Sequence, residues 1–357
     1  MKKIKKILII SLILSFFTFN FKCESVSVKG YTVSTAECVM EVSSGRVLYS
    51  HNLNEQLPIA STTKILTAIT VIENFDLNKT VTVPKSAVGI EGSSIYLREG
   101  EKLTVKELLY GLMLRSGNDT AECLAQTLTN SRQEFIALMN KTAKKYGANN
   151  SNFLNPHGLH EDGHYTTAYD LCLISIRAMK NQTFKEIVST KRVEISNDGY
   201  SYKRILVNKN KMLFNFDGAN GIKTGYTKKA GRCLVSSAKR NGIEVVSVVL
   251  NSPQMWERST ELLNNALNNY KVIKVVDKIE FSDKIYKDKN GKEISLLLEK
   301  DFYYPLNNEE VEEISFKIDG KEIEKYVLNA KKVGEFQIFL KNQLIFSQKV
   351  FSIYNSK

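Results

Sequence analysis

No two of the five cysteines, Cys23, Cys38, Cys123, Cys172 and Cys233, stand in Cys-x-x-Cys spacing. Buried free thiols are therefore expected in place of a disulfide framework. No arginine-aromatic array or nucleic-acid motif appears, so no nucleic-acid partner is expected. No internal repeat or low-complexity stretch stands out, which sets solenoids and disordered tails aside. The apolar run Ile7–Phe19 is too short to span a bilayer comfortably. It follows the basic stretch Met1–Lys6 and ends before Lys22, so residues 1–23 read as a secretory signal peptide. Cys23 raises a lipoprotein reading, but Phe21 and Lys22 are the wrong residues before such a site.

The formal net charge is +12, and removing the five lysines of residues 1–23 leaves +7. A basic exported protein suits an anionic cell wall or membrane surface, and equally a solvated basic exterior. At 357 residues there is room for one large domain and one small one. A signal peptide at 1–23, a main domain at 24–273 and a small all-β domain at 274–357 are expected.

Residues 31–50 alternate as strands, with a hairpin turn at Ser43–Arg46. From Ser61 to Ile72 the chain is apolar or threonine almost all round, apart from Lys64. A helix without a polar stripe is buried. Pro58 stands where a helix can begin. Residues 80–104 read as short strands and turns, Ile95–Leu97 among them. Thr104-Val105-Lys106-Glu107 is a capping box opening a helix through Leu114. Ser116–Asp119 interrupts it, and helices follow over 120–128, 132–146 and 169–179. Residues 191–207 return to strands. Gly218–Gly225 approaches Lys223-Thr224-Gly225, and strands at 232–237 and 245–250 pair across Lys239–Gly242. A helix over 258–270 closes this part. The outline is an antiparallel sheet made from both ends of the domain, with a helical block between. Short alternating runs follow at 294–298, 314–318, 336–340, 344–346 and 350–353, separated by turn signals such as Asn290-Gly291 and Asp319-Gly320.

The chemistry lies in three triplets in order: Ser61-x-x-Lys64, Ser116-x-Asn118 and Lys223-Thr224-Gly225. Positions i and i+3 share a helix face, so the Ser61 hydroxyl and the Lys64 amine lie side by side. A helix N-terminus favours a developing alkoxide, and a desolvated lysine acts as a base near neutral pH. Ser61 is thus the candidate nucleophile and Lys64 its base. Ser116, both donor and acceptor, suits proton relay. Asn118 suits holding a substrate backbone and Lys64. Lys223 attracts a carboxylate, Thr224 hydrogen-bonds it, and Gly225 permits close approach. Ser-x-x-Lys recurs at Ser236–Lys239, but inside a strand pattern. His157, His160 and His164, with Glu161, Asp162 and Asp170, hint at a metal site without fixing a geometry. No metal or cofactor is assigned, and His157 and His164 are expected to brace their loop.

With Leu57–Lys64, Leu112–Asp119, Asn155-Pro156-His157-Gly158-Leu159 and Gly221–Thr227 added, the chain from about Tyr31 to Tyr270 resembles the serine D-alanyl-D-alanine carboxypeptidases. These are the low-molecular-mass penicillin-binding proteins. The resemblance implies an α/β (α+β) fold of the β-lactamase and DD-peptidase type, followed by a small all-β domain. It implies a peptidoglycan stem pentapeptide ending in D-Ala-D-Ala as substrate, and β-lactams as acylating inhibitors. It also implies an oxyanion hole from the backbone N–H groups of Ser61 and Tyr226. Arg258 is a candidate for binding the terminal carboxylate. Alternatives sharing the site are an endopeptidase or transpeptidase, a β-lactamase, and an inert wall-binding protein. One β-lactamase class uses Glu-x-x-Leu-Asn. The nearest match here, Ser151–Asn155, has serine where glutamate belongs. The expected place of action is the extracellular, cell-wall side after secretion across the cytoplasmic membrane, with membrane-surface association as one option.

Overall fold

The computed structural model describes residues 34–283, 285–287, 293–319 and 331–354. The expected signal peptide, Cys23, and the turn residues Asn290, Gly291 and Gly320 lie outside them.

Along the chain, β1 (Ala36–Glu41) and β2 (Val47–His51) form the first hairpin. A 3-10 turn, Ala60–Thr63, leads into α1 (Lys64–Asn74). The short strands β3 (Thr80–Thr82) and β4 (Lys102–Thr104) pair with each other. The helical block is α2 (Val105–Leu114), α3 (Asn118–Thr127), α4 (Arg132–Lys145), α5 (Ala168–Met179) and α6 (Gln182–Ser189). The hairpin of β5 (Arg192–Ile195) and β6 (Arg204–Val207) and the short α7 (Met212–Asn215) follow. Then come β7 (Ala219–Thr227), β8 (Gly231–Arg240), β9 (Ile243–Leu250) and α8 (Met255–Asn269). The remaining strands are β10 (Lys271–Val276), β11 (Ile285–Lys287), β12 (Glu293–Leu298), β13 (Phe302–Leu306), β14 (Ile314–Asp319), β15 (Lys331–Leu340) and β16 (Gln343–Tyr354).

The central sheet runs in the order β2-β1-β9-β8-β7. Each of its pairings is antiparallel, and it joins the two ends of this region. Strand alternation sends side chains to opposite faces. Val39, Leu234 and Val249 pack with Leu263 and Leu267 of α8. Met40, Val235 and Val248 pack with Leu66, Ile69 and Leu171 on the other side. Two apolar layers thus sandwich one sheet, with α1 inside the larger. β8 turns into β9 through Asn241 and Gly242, both at positive φ, as a two-residue hairpin requires.

Behind this lies a second five-stranded sheet, β11-β12-β16-β15-β14, while β10 pairs with β13. β10 spans the expected junction at 273–274. The first hairpin meets the β10–β13 pair and the residues that follow it. The Arg46 guanidinium donates to Glu310 and to the Pro305 carbonyl, and lies over the Tyr270 and Tyr304 rings.

Some expectations give way. Ile95–Leu97 is not a strand: the N–H groups of Ile95 and Leu97 both donate to the Asp119 carboxylate, leaving none for a ladder. The helix expected at Ser61 opens with a 3-10 turn, and regular α-helix begins at Lys64. Residues 344–346 and 350–353 belong to one strand, because Ser347 and Gln348 keep their partners on β15. α6 was not anticipated. Cys38, Cys123, Cys172 and Cys233 are all buried free thiols.

Candidate active site

Ser61 sits in the 3-10 turn just before α1. The residue before it, Ala60, is buried at φ +49°, a conformation an L side chain rarely adopts. Gly158 explains how it is held. A Cβ there would lie 1.9 Å from the Ala60 carbonyl oxygen, so only glycine lets the loop press against this turn. Thr62 Oγ1 ties back to the Ile59 carbonyl at 2.7 Å. His164 Nδ1 accepts from Leu154 N, so its Nε2 carries the proton and donates to Thr63 Oγ1 at 2.9 Å. Burial holds the His164 ring neutral, lowering it to about 4.

Lys64, the first residue of α1, is fully buried. Its Nζ stands within hydrogen-bond distance of three oxygens: Ser61 Oγ at 3.1 Å, Asn118 Oδ1 at 2.6 Å and the His157 carbonyl at 2.7 Å. Burial, and after it the nearby Lys223 charge, drives the Lys64 amine well below the usual lysine range. Asp119 opposes that shift. A lysine so placed is ready to receive the serine proton. The His157 ring is fixed behind the carbonyl that Lys64 uses. Its Nδ1 accepts from Leu159 N, and its Nε2 donates to Glu122, which is also bound by Arg132.

The turn between α2 and α3 supplies Ser116 and Asn118. Ser116 is at φ +64° and nearly buried. Capping by Thr104 and Glu107 fixes the start of α2. Asn118 Nδ2 donates to the Glu91 carbonyl, leaving Oδ1 for Lys64. A Cβ on Gly117 would sit 2.7 Å from polar atoms of Asp119 and Thr120, so the tight turn needs glycine.

β7, the outer strand, brings Lys223, Thr224, Gly225 and Tyr226 to the opposite wall. A Cβ on Gly225 would lie 2.9 Å from Ile59 O and 3.2 Å from Ser61 N. Its absence lets the strand close on the nucleophile's turn. Lys223 is buried, donates to the Thr224 carbonyl at 2.9 Å, and is lowered to about 7 by burial and by Lys209. β7 pairs only with β8 in the central sheet, so its other edge faces the cleft.

The two walls enclose a cleft of about 470 Å³ that Ser61, Ser93, Asn118, Gly158, Lys209 and Tyr226 help to line. No carboxylate stands among the described residues lining it. The Ser151 hydroxyl, at the position of the missing glutamate, donates to Asp170 instead.

Ser61, Asn118 and Tyr226 line one cleft, Lys64 bonds to the first two, and Gly225 lies against the turn of Ser61. Lys223 and Thr224 precede Gly225 on β7, and Ser116 stands between the cleft residues Arg115 and Asn118 in the chain. Arg258 does not join them. Its guanidinium is held by Glu37, Glu261 and Tyr49, none of which lines the cleft. Ser236–Lys239 lies on β8, where residues three apart point to opposite faces, so serine and lysine cannot meet. The three histidines diverge: His157 turns to Glu122, His164 to Thr63, and exposed His160 to Asp162. Sequence reasoning missed Lys209, whose amine reaches Ser93 Oγ at 3.1 Å. It follows a hairpin in a polar loop and carries no motif.

The chain is similar to known proteins over most of its length. The family profile described as D-alanyl-D-alanine carboxypeptidase matches residues 24–254, and that of the penicillin-binding protein 5 C-terminal domain matches 270–355. The chain is 36% identical over 240 residues to the D-alanyl-D-alanine carboxypeptidase DacF of Bacillus subtilis, covering 65% of this chain and 61% of that one. It is 30% identical over 328 residues to DacD of Salmonella typhimurium, covering 86% and 82%. The crystal structure of DacD from Francisella tularensis superposes with a TM-score of 0.73 at 25% identity, covering 94% and 96% of the two chains.

Proposed function

The chain belongs to the D-alanyl-D-alanine carboxypeptidase family, serine hydrolases of the penicillin-binding type, and from that premise we propose how its residues divide the reaction. Ser61 Oγ attacks the carbonyl joining the two terminal D-alanines of a peptidoglycan stem pentapeptide, and Lys64 Nζ takes its proton. The oxyanion is received by the backbone N–H groups of Ser61 and Tyr226. Ser116 passes a proton to the departing amine, D-alanine leaves, and a tetrapeptide remains as an ester on Ser61. Water hydrolyses the ester, with Lys64 as base. Asn118 holds the substrate backbone and Lys64 together. Lys223 and Thr224 bind the terminal carboxylate, and Gly225 keeps β7 close enough to do so.

The observation that carries this reading is the fully buried Lys64 amine 3.1 Å from Ser61 Oγ, held by burial well below the usual lysine range. β-Lactams acylate the same oxygen. No carboxylate stands among the described cleft residues and Ser151 holds the place of a β-lactamase's glutamate, so hydrolysis of the penicilloyl ester is expected to be slow. The enzyme is proposed to act at the outer face of the cytoplasmic membrane, exported by residues 1–23, with a catalytic domain at 24–273 and an all-β domain at 274–357. Among the described residues no helix is long and apolar enough to cross a membrane. Its basic charge favours an anionic membrane or wall surface, and nucleic acid is not among its proposed partners.

The test is D-alanine release from diacetyl-Lys-D-Ala-D-Ala, run beside Ser61→Ala. The parent is expected to release D-alanine and to take a fluorescent penicillin label. The variant is expected to do neither. Labelling that survives in the variant would overturn Ser61 as nucleophile.

A further inference from the structure

Tyr96 stands at the rim of the Ser61 cleft, 82% exposed and at φ +61°. A bulky L residue disfavours that backbone, and such outliers persist only where their surroundings fix them. Here they do. The N–H groups of Ile95 and Leu97, on either side, each donate to Asp119 Oδ2 at 3.1 Å. Tyr96 N donates to Ser94 Oγ at 2.8 Å. Asp119 directly follows Asn118, so the tyrosine is tethered to the turn that carries Ser116 and Asn118. The fold thus spends backbone strain to hold an exposed ring at the mouth of the site.

Tyr226 lines the same cleft from β7 and is 65% exposed. It follows Lys223 and Thr224, the proposed receivers of the terminal carboxylate. A substrate with its carboxylate there sends its upstream chain past the scissile carbonyl toward Tyr226 and Thr227. The residue before D-Ala-D-Ala is therefore the one offered to apolar lining at Tyr96, Leu159 and Tyr226. Aromatic rings of this kind pack on hydrocarbon stems and leave a polar end in water.

We propose that Tyr96, together with Tyr226, is a specificity-determining residue that packs on the hydrocarbon stem of the diamino acid preceding D-Ala-D-Ala. This rests on the carboxypeptidase reading above. Tyr96 takes no part in bond making; it selects the acyl donor.

Calorimetric binding of diacetyl-Lys-D-Ala-D-Ala and of acetyl-Gly-D-Ala-D-Ala to the Ser61→Ala protein, with and without Tyr96→Ala, tests it. The Ser61→Ala protein is expected to prefer the lysyl peptide. Adding Tyr96→Ala should cost the lysyl peptide roughly tenfold more affinity than the glycyl one. Tyr96→Phe should restore the preference. Tyr96→Gly should lose it while raising Tm, because glycine suits φ +61°. No preference before Tyr96 is changed, equal losses on both peptides, or no loss at all overturns the proposal. D-Alanine release by the enzyme with Ser61 intact is read separately. Its absence with the binding preference present strikes the carboxypeptidase reading alone.

Discussion

Two buried amines within one site oppose folding, because each prefers to be charged in water. For Lys223 the sign follows from its folded value of about 7 against an ordinary 10.5. Between those pH values the unfolded chain binds more protons, so this group makes stability rise with pH across the window. Its penalty is largest at pH 7 and below. Lys223→Met is therefore expected to raise Tm at pH 7 by roughly 2–4 °C, with the gain shrinking by pH 10. Thermal melts at both pH values check this, and no gain at pH 7 would contradict a depressed amine. The same variant should raise KM for D-Ala-D-Ala peptides, and in the parent kcat/KM should fall as pH passes the Lys223 value and the carboxylate loses its cation.

At the scale of elements, the contact between β7 and the turn before α1 decides whether Lys223, Thr224 and Tyr226 reach Ser61. Gly225→Ala sets a methyl 2.9 Å from a backbone oxygen, which cannot swing aside as a side-chain end can. The strand must retreat, and misplacement by about an ångström costs on the order of 100-fold in rate. Stopped-flow acylation by penicillin should show that loss with only a modest fall in Tm. A normal acylation rate would mean that the turn, not the strand, adjusts.

Much at this scale was legible in the sequence. The Thr104–Glu107 box, the Asn241-Gly242 hairpin and the stripe-free helix after Lys64 each follow from local rules. What escaped depended on distant partners. Ile95–Leu97 has a strand's composition, yet its N–H groups are claimed by Asp119 from α3. Arg258 was offered to the substrate because nothing local reveals that Glu37 of β1 already holds it. Lys209 reaches the cleft through a turn of β6 that no spacing encodes. The three triplets could be read as chemistry, whereas the cations and rings around them could not.

For the whole molecule, Arg46 ties the first hairpin to the β10–β13 pair and to Glu310. It combines an ion pair to Glu310, a bond to Pro305 and two aromatic faces, with its side chain largely out of solvent. Removing one partner of such a pair strands the other, at a cost of about 3–5 kcal/mol. Arg46→Ala is expected to split one calorimetric unfolding transition into two, with residues 274–357 melting first. A single transition at an unchanged Tm would show that the first hairpin and residues 274–357 are joined by something else.

The central sheet also dictates an order of events. Ala36 of β1 finds its partner in Leu250 of β9, at the far end of the helical block. As the exported chain emerges, β1 and β2 come first and wait, an unsealed hairpin edge, until nearly everything between has followed. The intervening helices close through local contacts and can form sooner, whereas a pairing of such long sequence separation is slow. A nascent chain is thus most exposed to proteases and to pairing with its neighbours just before β9 arrives. That single strand, far from Ser61, sets the moment at which the protein becomes safe.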